Sequence, residues 1–327
     1  IRYSAVSGTS VGALNGAMMV MRDFDRAVSA WRDIRLSDVI DVDGEEEAGL
    51  RKVLSGELEL SDIHELIPQV FDIIRNRGLD VGPLREWIHE MVDEKRIKES
   101  DVEFFVSTVS LTDMKGLEIK VNDLPEDEIC DMLLASAYHP SFRLEKLGGK
   151  LYTDGGFVDT LPLHALVENG YKDIIAVRIP GRGIEKRFRM PEDVNVTVID
   201  TDSDLGGVLY FDAEQSRRDM EIGYYDAKRV LYGLYGKQYY IDRSLTEREA
   251  LALLVDRFYD EKDKMTLRGF CERELPHMAR RLNTEREDYY ELLIAVLELE
   301  AEELGLRRMR IWKDREFIDG IDAAGTL

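Results

Sequence analysis

An α/β domain followed by a helical C-terminal stretch is what the sequence predicts, and three features predict it. Short apolar runs rich in β-branched residues alternate with segments of helical spacing up to about residue 240. Runs such as "KDIIAVRIP" and "NVTVID" are apolar nearly throughout, the pattern of strands buried on both faces of a largely parallel sheet. From about residue 241 only helical spacing remains.

The first element is "RYSAVSG", a short strand that ends at a glycine. It runs straight into "SVGALNGAMMVM", which places Val11, Leu14 and Met18 on one helical stripe. Between them lies Gly8-Thr9-Ser10-Val11-Gly12, a G-x-S-x-G pentapeptide. A strand-to-helix turn through Ser10 is sharp, and Gly8 and Gly12 are expected to remove side chains that would clash there. Ser10 then stands at a helix N-terminus, where free N–H groups and the positive end of the dipole favour a developing negative charge. The Val11 N–H is the expected oxyanion donor. The competing reading is a glycine-rich turn with a serine cap.

Residues 21–100 read as mostly helical. "DFDRAVSAWRDI", "SDIHELIPQVFDIIRNRG" and "GPLREWIHEMVDEKRI" carry apolar residues at three-four spacing, with Ser61, Gly78 and Pro83 as boundary signals. The acidic run 41–49 reads as a solvated loop. Strands follow at 102–111 and 116–121. A helix over 127–138 stops before Pro140, and 143–154 reads as a hairpin turning at Gly148-Gly149. A short helix ends at Gly170, two strands follow, and 212–233 is a long helix. In the last region, Ser244 with Glu247 and Thr284 with Glu287 match the S/T-x-x-E capping box, and Gly305 is a stop.

Composition narrows the function. The chain has 327 residues and a net charge of −22, a poor balance for nucleic acid or for steering to an anionic membrane. No run reaches the ~18 apolar residues of a membrane span. Cys130 and Cys271 are the only cysteines, which points to a reducing compartment, the cytoplasm, and rules out a cysteine zinc site. Residues 200–211 miss the EF-hand spacing, "GRGIEK" lacks the third glycine of a dinucleotide loop, and no P-loop occurs. No cofactor and no metal are expected.

A second polar residue at a strand end is Asp154, in "LYTDGGFVDTLP", followed by Gly155 and Gly156. Alone it reads as an Asp-Gly turn, which is common in any protein. Taken with the elbow, the order G-T-S-V-G, D-G-G and P-L-H-A-L resembles the patatin-like phospholipases. "GLDVGPLREWI", "VSTVSLTDMKGLEI", "LLASAYHPSF" and "DLGGVLYFDAEQSRRDMEIGYYDAKRVL" are similar to bacterial members in the same order. The resemblance spans about residues 1–240 and leaves 241–327 as an unassigned helical extension.

That resemblance implies a patatin-like three-layer α/β fold and a lipid acyl hydrolase with no histidine in its machinery. Ser10 is then the nucleophile and Asp154 the residue that orients and deprotonates it, with Gly155 and Gly156 in support. The substrate is a lipid or acyl ester, met through transient membrane contact. A carboxylate of ordinary pKa near 4 is a weak base at neutral pH. The driving force is therefore expected from the oxyanion donors. Two departures stand out. Asp159-Thr160 replaces the family's paired asparagines, with Thr160 expected to cap the next helix. The glycine-rich oxyanion loop on the preceding strand is absent, so about 35–40 residues carrying it are expected upstream of Ile1.

Other constellations compete. A Ser-His-Asp triad in the order Ser…Asp…His has only His164 and His277 to draw on. His139 is a candidate for lining the pocket, while His64 and His89 fall on helix patterns. Two alternatives to the hydrolase remain: the same dyad as an acyltransferase or general esterase, or a non-catalytic fold whose helical tail binds a partner.

Overall fold

The computed structural model describes residues 1–41, 78–179, 183–207, 209–259 and 265–326. The predicted helix 61–78, except Gly78, and the acidic run after Asp41 lie outside them. The chain divides into two compact units, residues 1–198 with 204–220, and residues 199–203 with 221–327.

In the first unit, β1 (Ala5–Thr9) passes through Ser10 into α1 (Val11–Met21), followed by α2 (Phe24–Arg32). Helix α1 stops where Arg22 takes the left-handed conformation and its N–H reaches back to the Met18 and Met19 carbonyls. The predicted helix at 82–97 is two, α3 (Gly82–Met91) and α4 (Glu94–Lys98). Asp93 separates them because its side chain accepts the Arg96 N–H and caps α4. Then come β2 (Glu103–Ser110), β3 (Lys115–Lys120), α5 (Ile129–Ser136), β4 (Tyr152–Asp154), α6 (Leu163–Glu168), β5 (Asp173–Val177) and β6 (Asn195–Ile199, whose last residue falls in the second unit). Helix α7 (Ala213–Tyr232) starts in the first unit and ends in the second.

Strand β2 organises this unit. Phe104 and Val106 face the larger core, built with Leu14, Ala17 and Met18 of α1 and Leu133 and Leu134 of α5. Phe105 faces the other way, onto Ala165 and Leu166 of α6 and Ile174 of β5. Strand β2 is covered on both faces, whereas β5 and β6, whose apolar runs suggested such burial, alternate more buried with more exposed residues. The sheet around it is mixed rather than largely parallel: β1 pairs with β2 in parallel, but β3 and β4 are antiparallel to it. Only a tight turn separates β2 from β3, which forces antiparallel pairing. The expected hairpin at 143–154 is reduced to a turn. Gly148 and Gly149 have φ of 55° and 82° and close one bridge between Leu147 and Lys150, while Tyr152–Asp154 pairs with β2 instead.

Strands β1 and β4 lie along the same edge of β2, since β3 occupies the other. Strand β1 pairs with Glu103 to Ser107, and β4 pairs with Ser110 back to Thr108. The two strands run toward each other and both end at the Ser107–Thr108 step.

The second unit is not wholly helical as expected. It holds a parallel pair, β7 (Tyr240–Asp242) with β8 (Ile311–Lys313), among α8 (Glu247–Phe258), α9 (Leu275–Leu282), α10 (Tyr289–Glu303) and α11 (Asp314–Gly325). Three-residue strands are too short to show a period. The capping boxes also shift. Thr246 with Glu249 caps α8, because Ser244 is taken by Asp314. Asp288 caps α10 in place of Thr284. Buried acids organise this unit. Asp314 accepts the N–H groups of Ser244, Leu245 and Arg315 and the hydroxyls of Ser244 and Tyr290. Glu298 accepts three successive N–H groups, from Lys237, Gln238 and Tyr239. No described helix is long and apolar enough to cross a membrane.

Candidate active site

Ser10 has φ 56° and ψ −128°, a region that only glycine enters freely and that holds on the order of 1–3 kcal/mol of strain. Its surroundings enforce it. The Ser10 N–H donates to Ser136 Oγ at 2.9 Å, and the Ser136 hydroxyl donates to the Ser107 carbonyl at 2.7 Å. The Ser10 carbonyl accepts the Ala13 N–H at 2.8 Å and starts α1. With the Ser10 amide turned inward, Val11 and Gly12 carry the first N–H groups of α1, which have no acceptor within the helix.

The two elbow glycines have different roles. A Cβ on Gly8 would run into the Gly12 carbonyl and the Ala13 amide, so only glycine allows β1 to pass under the start of α1. A Cβ on Gly12 would meet nothing within 4 Å. The expectation that Gly12 relieves a clash is therefore corrected: it is exposed and leaves the space beside Ser10 open. Gly155 is a second obligatory glycine, since its Cβ would strike the Ser107 carbonyl and Thr9 Cγ2. At Gly156 a Cβ would sit 3.0 Å from Asp154 Oδ1.

Asp154 ends β4 with 9% of its surface exposed. Its Oδ2 accepts the Ser10 hydroxyl at 2.5 Å, across 144 residues of sequence, and its Oδ1 accepts the Gly156 N–H at 2.7 Å. Burial pushes the carboxyl above the usual range, against the pull of the hydrogen bonds from Ser10 and Gly156 and of nearby His139. The raised pKa makes Asp154 a stronger base than a free aspartate. The weakness noted from the sequence is thus partly met by the carboxyl's own surroundings.

The loop after Asp154 is tied to β1. Thr9 Oγ1 donates to the Asp159 carbonyl at 2.8 Å and Ser7 Oγ to the Pro162 carbonyl at 3.0 Å. Thr160 does not cap α6; its hydroxyl donates to the Ile184 carbonyl, 3.3 Å away. Asp159 is buried and its Oδ1 accepts the Leu161 N–H at 3.1 Å, which holds the turn into α6.

Ser10 and Asp154 open into a cleft with about 540 Å³ of empty space, part of it continuous with solvent. His139 is the third polar group in its wall; the rest is apolar, from Leu14 and Ile34 to Phe142 and Phe211. The His139 Nδ1 accepts the Ser141 N–H at 3.2 Å, which puts the ring proton on Nε2. Burial pushes its pKa down, against the nearby Asp154 carboxylate. His164 is elsewhere, with Nε2 2.8 Å from Glu118 and Nδ1 3.2 Å from Asp159. His277 belongs to α9 of the second unit. Neither lines the cleft. No group of acids, cysteines and histidines suited to a metal occurs among the described residues.

Sequence reasoning missed Ser136, a serine in the last turn of an apolar helix with none of its surface exposed. Its signal was that isolation: a lone hydroxyl among buried apolar residues needs partners.

No curated protein matches the chain. Among solved structures it is similar to VipD from Legionella pneumophila, at 13% identity and a TM-score of 0.25, over 99% of this chain and 69% of that one. The family model described as patatin-like phospholipase matches residues 1–167, the stretch that holds the elbow, Ser136 and Asp154. By that match over half its length, the chain belongs to the patatin-like phospholipase family.

Proposed function

We propose that the chain cleaves carboxylic ester bonds of phospholipids or related acyl lipids through a Ser10–Asp154 dyad and an acyl-enzyme. The family supports lipid acyl hydrolysis in general. The observation that carries the finer reading is the 2.5 Å hydrogen bond from the Ser10 hydroxyl to a buried carboxylate, at an apolar cleft and a helix N-terminus.

Asp154 Oδ2 takes the hydroxyl proton as Ser10 Oγ bonds to the ester carbonyl carbon. The carbonyl oxygen becomes an oxyanion facing the first N–H groups of α1, where the helix dipole adds to the stabilisation. The intermediate collapses, the carbon–oxygen bond to the leaving alcohol breaks, and that alcohol takes the proton back from Asp154. Water then attacks the acyl-serine, gives a proton to Asp154, and the fatty acid leaves as the proton returns to Ser10. His139, neutral by burial, contributes an N–H in the cleft wall rather than a base.

The test combines a fluorophosphonate probe with a panel of acyl esters whose products are identified by mass. The expected result is covalent label on the Ser10 peptide, none in Ser10→Ala, and release of free fatty acid. Label on another serine, or no label and no product, overturns the proposal. An acylated acceptor in place of free acid would make the chain a transferase.

A further inference from the structure

The cleft carries more than a place for an ester. Moving along α1 away from Ser10, Val11 and Leu14 line its wall. Asn15 comes next on the same face, about 7.5 Å along the helix axis from Ser10. Its side-chain oxygen accepts the Trp31 indole N–H at 2.7 Å. The Trp31 backbone is held as well, since its carbonyl accepts the Ser216 hydroxyl. The Trp31 ring packs on Trp87 of α3, with centroids 5.4 Å apart and planes at 52°. Both rings line the cleft. The Trp31 ring is therefore tied to the helix that starts at Ser10, and the Trp87 ring packs on it.

We propose that Trp31 and Trp87 are the stop of an acyl slot and set the length of the acyl chain that the protein takes. This rests on the acyl hydrolase reading and narrows its substrate. The wall beyond Ser10, Asp154 and His139 is apolar, so it offers nothing to a charged headgroup and everything to methylenes.

The test compares p-nitrophenyl esters from acetyl to palmitoyl in wild type, Trp31→Ala, Trp87→Ala and Asn15→Ala. In wild type, kcat/KM should climb about fourfold for each methylene that enters the slot, then fall once the chain outruns the pair. Each Trp→Ala variant should raise the palmitoyl-to-octanoyl ratio about tenfold or more, through KM rather than kcat. Asn15→Ala frees the Trp31 ring without removing it and should give a smaller rise in the same direction. It also decides the matter if a tryptophan variant fails to fold. A second readout does not depend on turnover. Octanoate added to Ser10→Ala should change tryptophan emission saturably, and Trp31→Phe with Trp87→Phe should abolish that change. Ester hydrolysis with a profile of the same shape in all four proteins overturns the slot. No hydrolysis, but saturable octanoate binding, overturns the hydrolase reading and leaves the slot standing.

Discussion

Asp154 and Asp314 are both buried carboxylates at the junction of a short strand and a helical turn, one in each unit. Their chemistry is opposite. Asp314 receives five donors, three of them backbone N–H groups. Burial pushes its carboxyl up, but the bonds from Ser244, Leu245 and Arg315 outweigh that and hold it below the usual range. Asp154 receives two donors, and burial wins. The number of hydrogen bonds aimed at the charge separates a structural clamp from a poised base. A buried acid left short of donors is the place to look for proton transfer.

The largest expected effect breaks the comparison on the catalytic side. Ser10→Ala and Asp154→Asn should each lower kcat on a soluble ester by about 10³-fold or more, because the two act as a unit. Asp154→Asn should keep or raise the melting temperature, since it removes a charge that burial disfavours. A variant that retains a tenth of wild-type kcat would sink the dyad. On the structural side, Asp314→Ala leaves several buried donors without an acceptor. It should cost about 3 kcal/mol or more of stability in denaturant titration.

The pH dependence sharpens the contrast, because the signs differ. Asp314 has its pKa lowered on folding, so its contribution to stability is present above the unfolded value and is lost as pH falls through its folded value. Asp154 has its pKa raised, so its ionisation opposes folding, and stability gains as pH falls through its folded value. Activity moves the other way. The acidic limb of kcat/KM should lie above the ordinary aspartate range, because only the ionised Asp154 accepts the Ser10 proton. A limb at or below the ordinary value would remove Asp154 as the base.

Smaller effects test the support around each acid. Ser136→Ala leaves the Ser10 N–H and the Ser107 carbonyl without their partner, and should cost about 1–2 kcal/mol and about tenfold in kcat. His164→Ala should stay within a few-fold of wild type. A drop of about 10³-fold in a folded His164→Ala protein would restore the triad.

Much of the first unit was legible because its signals are local. The elbow needs Gly8 beside Ser10, and the turn at Gly148-Gly149 needs positive φ, so both leave a mark in adjacent residues. What the sequence hid depends on distant partners. Ser244 and Thr246 each stand three residues before a glutamate. The choice between them was made by Asp314, 70 residues away. Asp154 read as a turn until it was set beside the elbow, because the β2 edge that joins them cannot be seen in either segment. Trp31 and Trp87 looked like ordinary positions on two helix stripes, and only the fold turned both rings to one cleft. The mixed sheet was missed because buried strands show the same apolar run whichever way their neighbours point.

That shared edge has a mechanical consequence. Thr9, next to Ser10, and Asp154 are paired with consecutive residues of one strand, so twisting or bending of β2 carries Ser10 and Asp154 in the same direction. Their separation responds to the difference between the two displacements, which is small, and not to the displacement itself. The long connections before β2 and between β2 and β4 are left out of this reference, apart from α1 and from Ser136, which holds the Ser10 N–H. Insertions there, or motion in them, change the walls of the cleft and the traffic of ligands without detuning the proton transfer. Specificity can therefore drift in the connections while the chemistry keeps its setting.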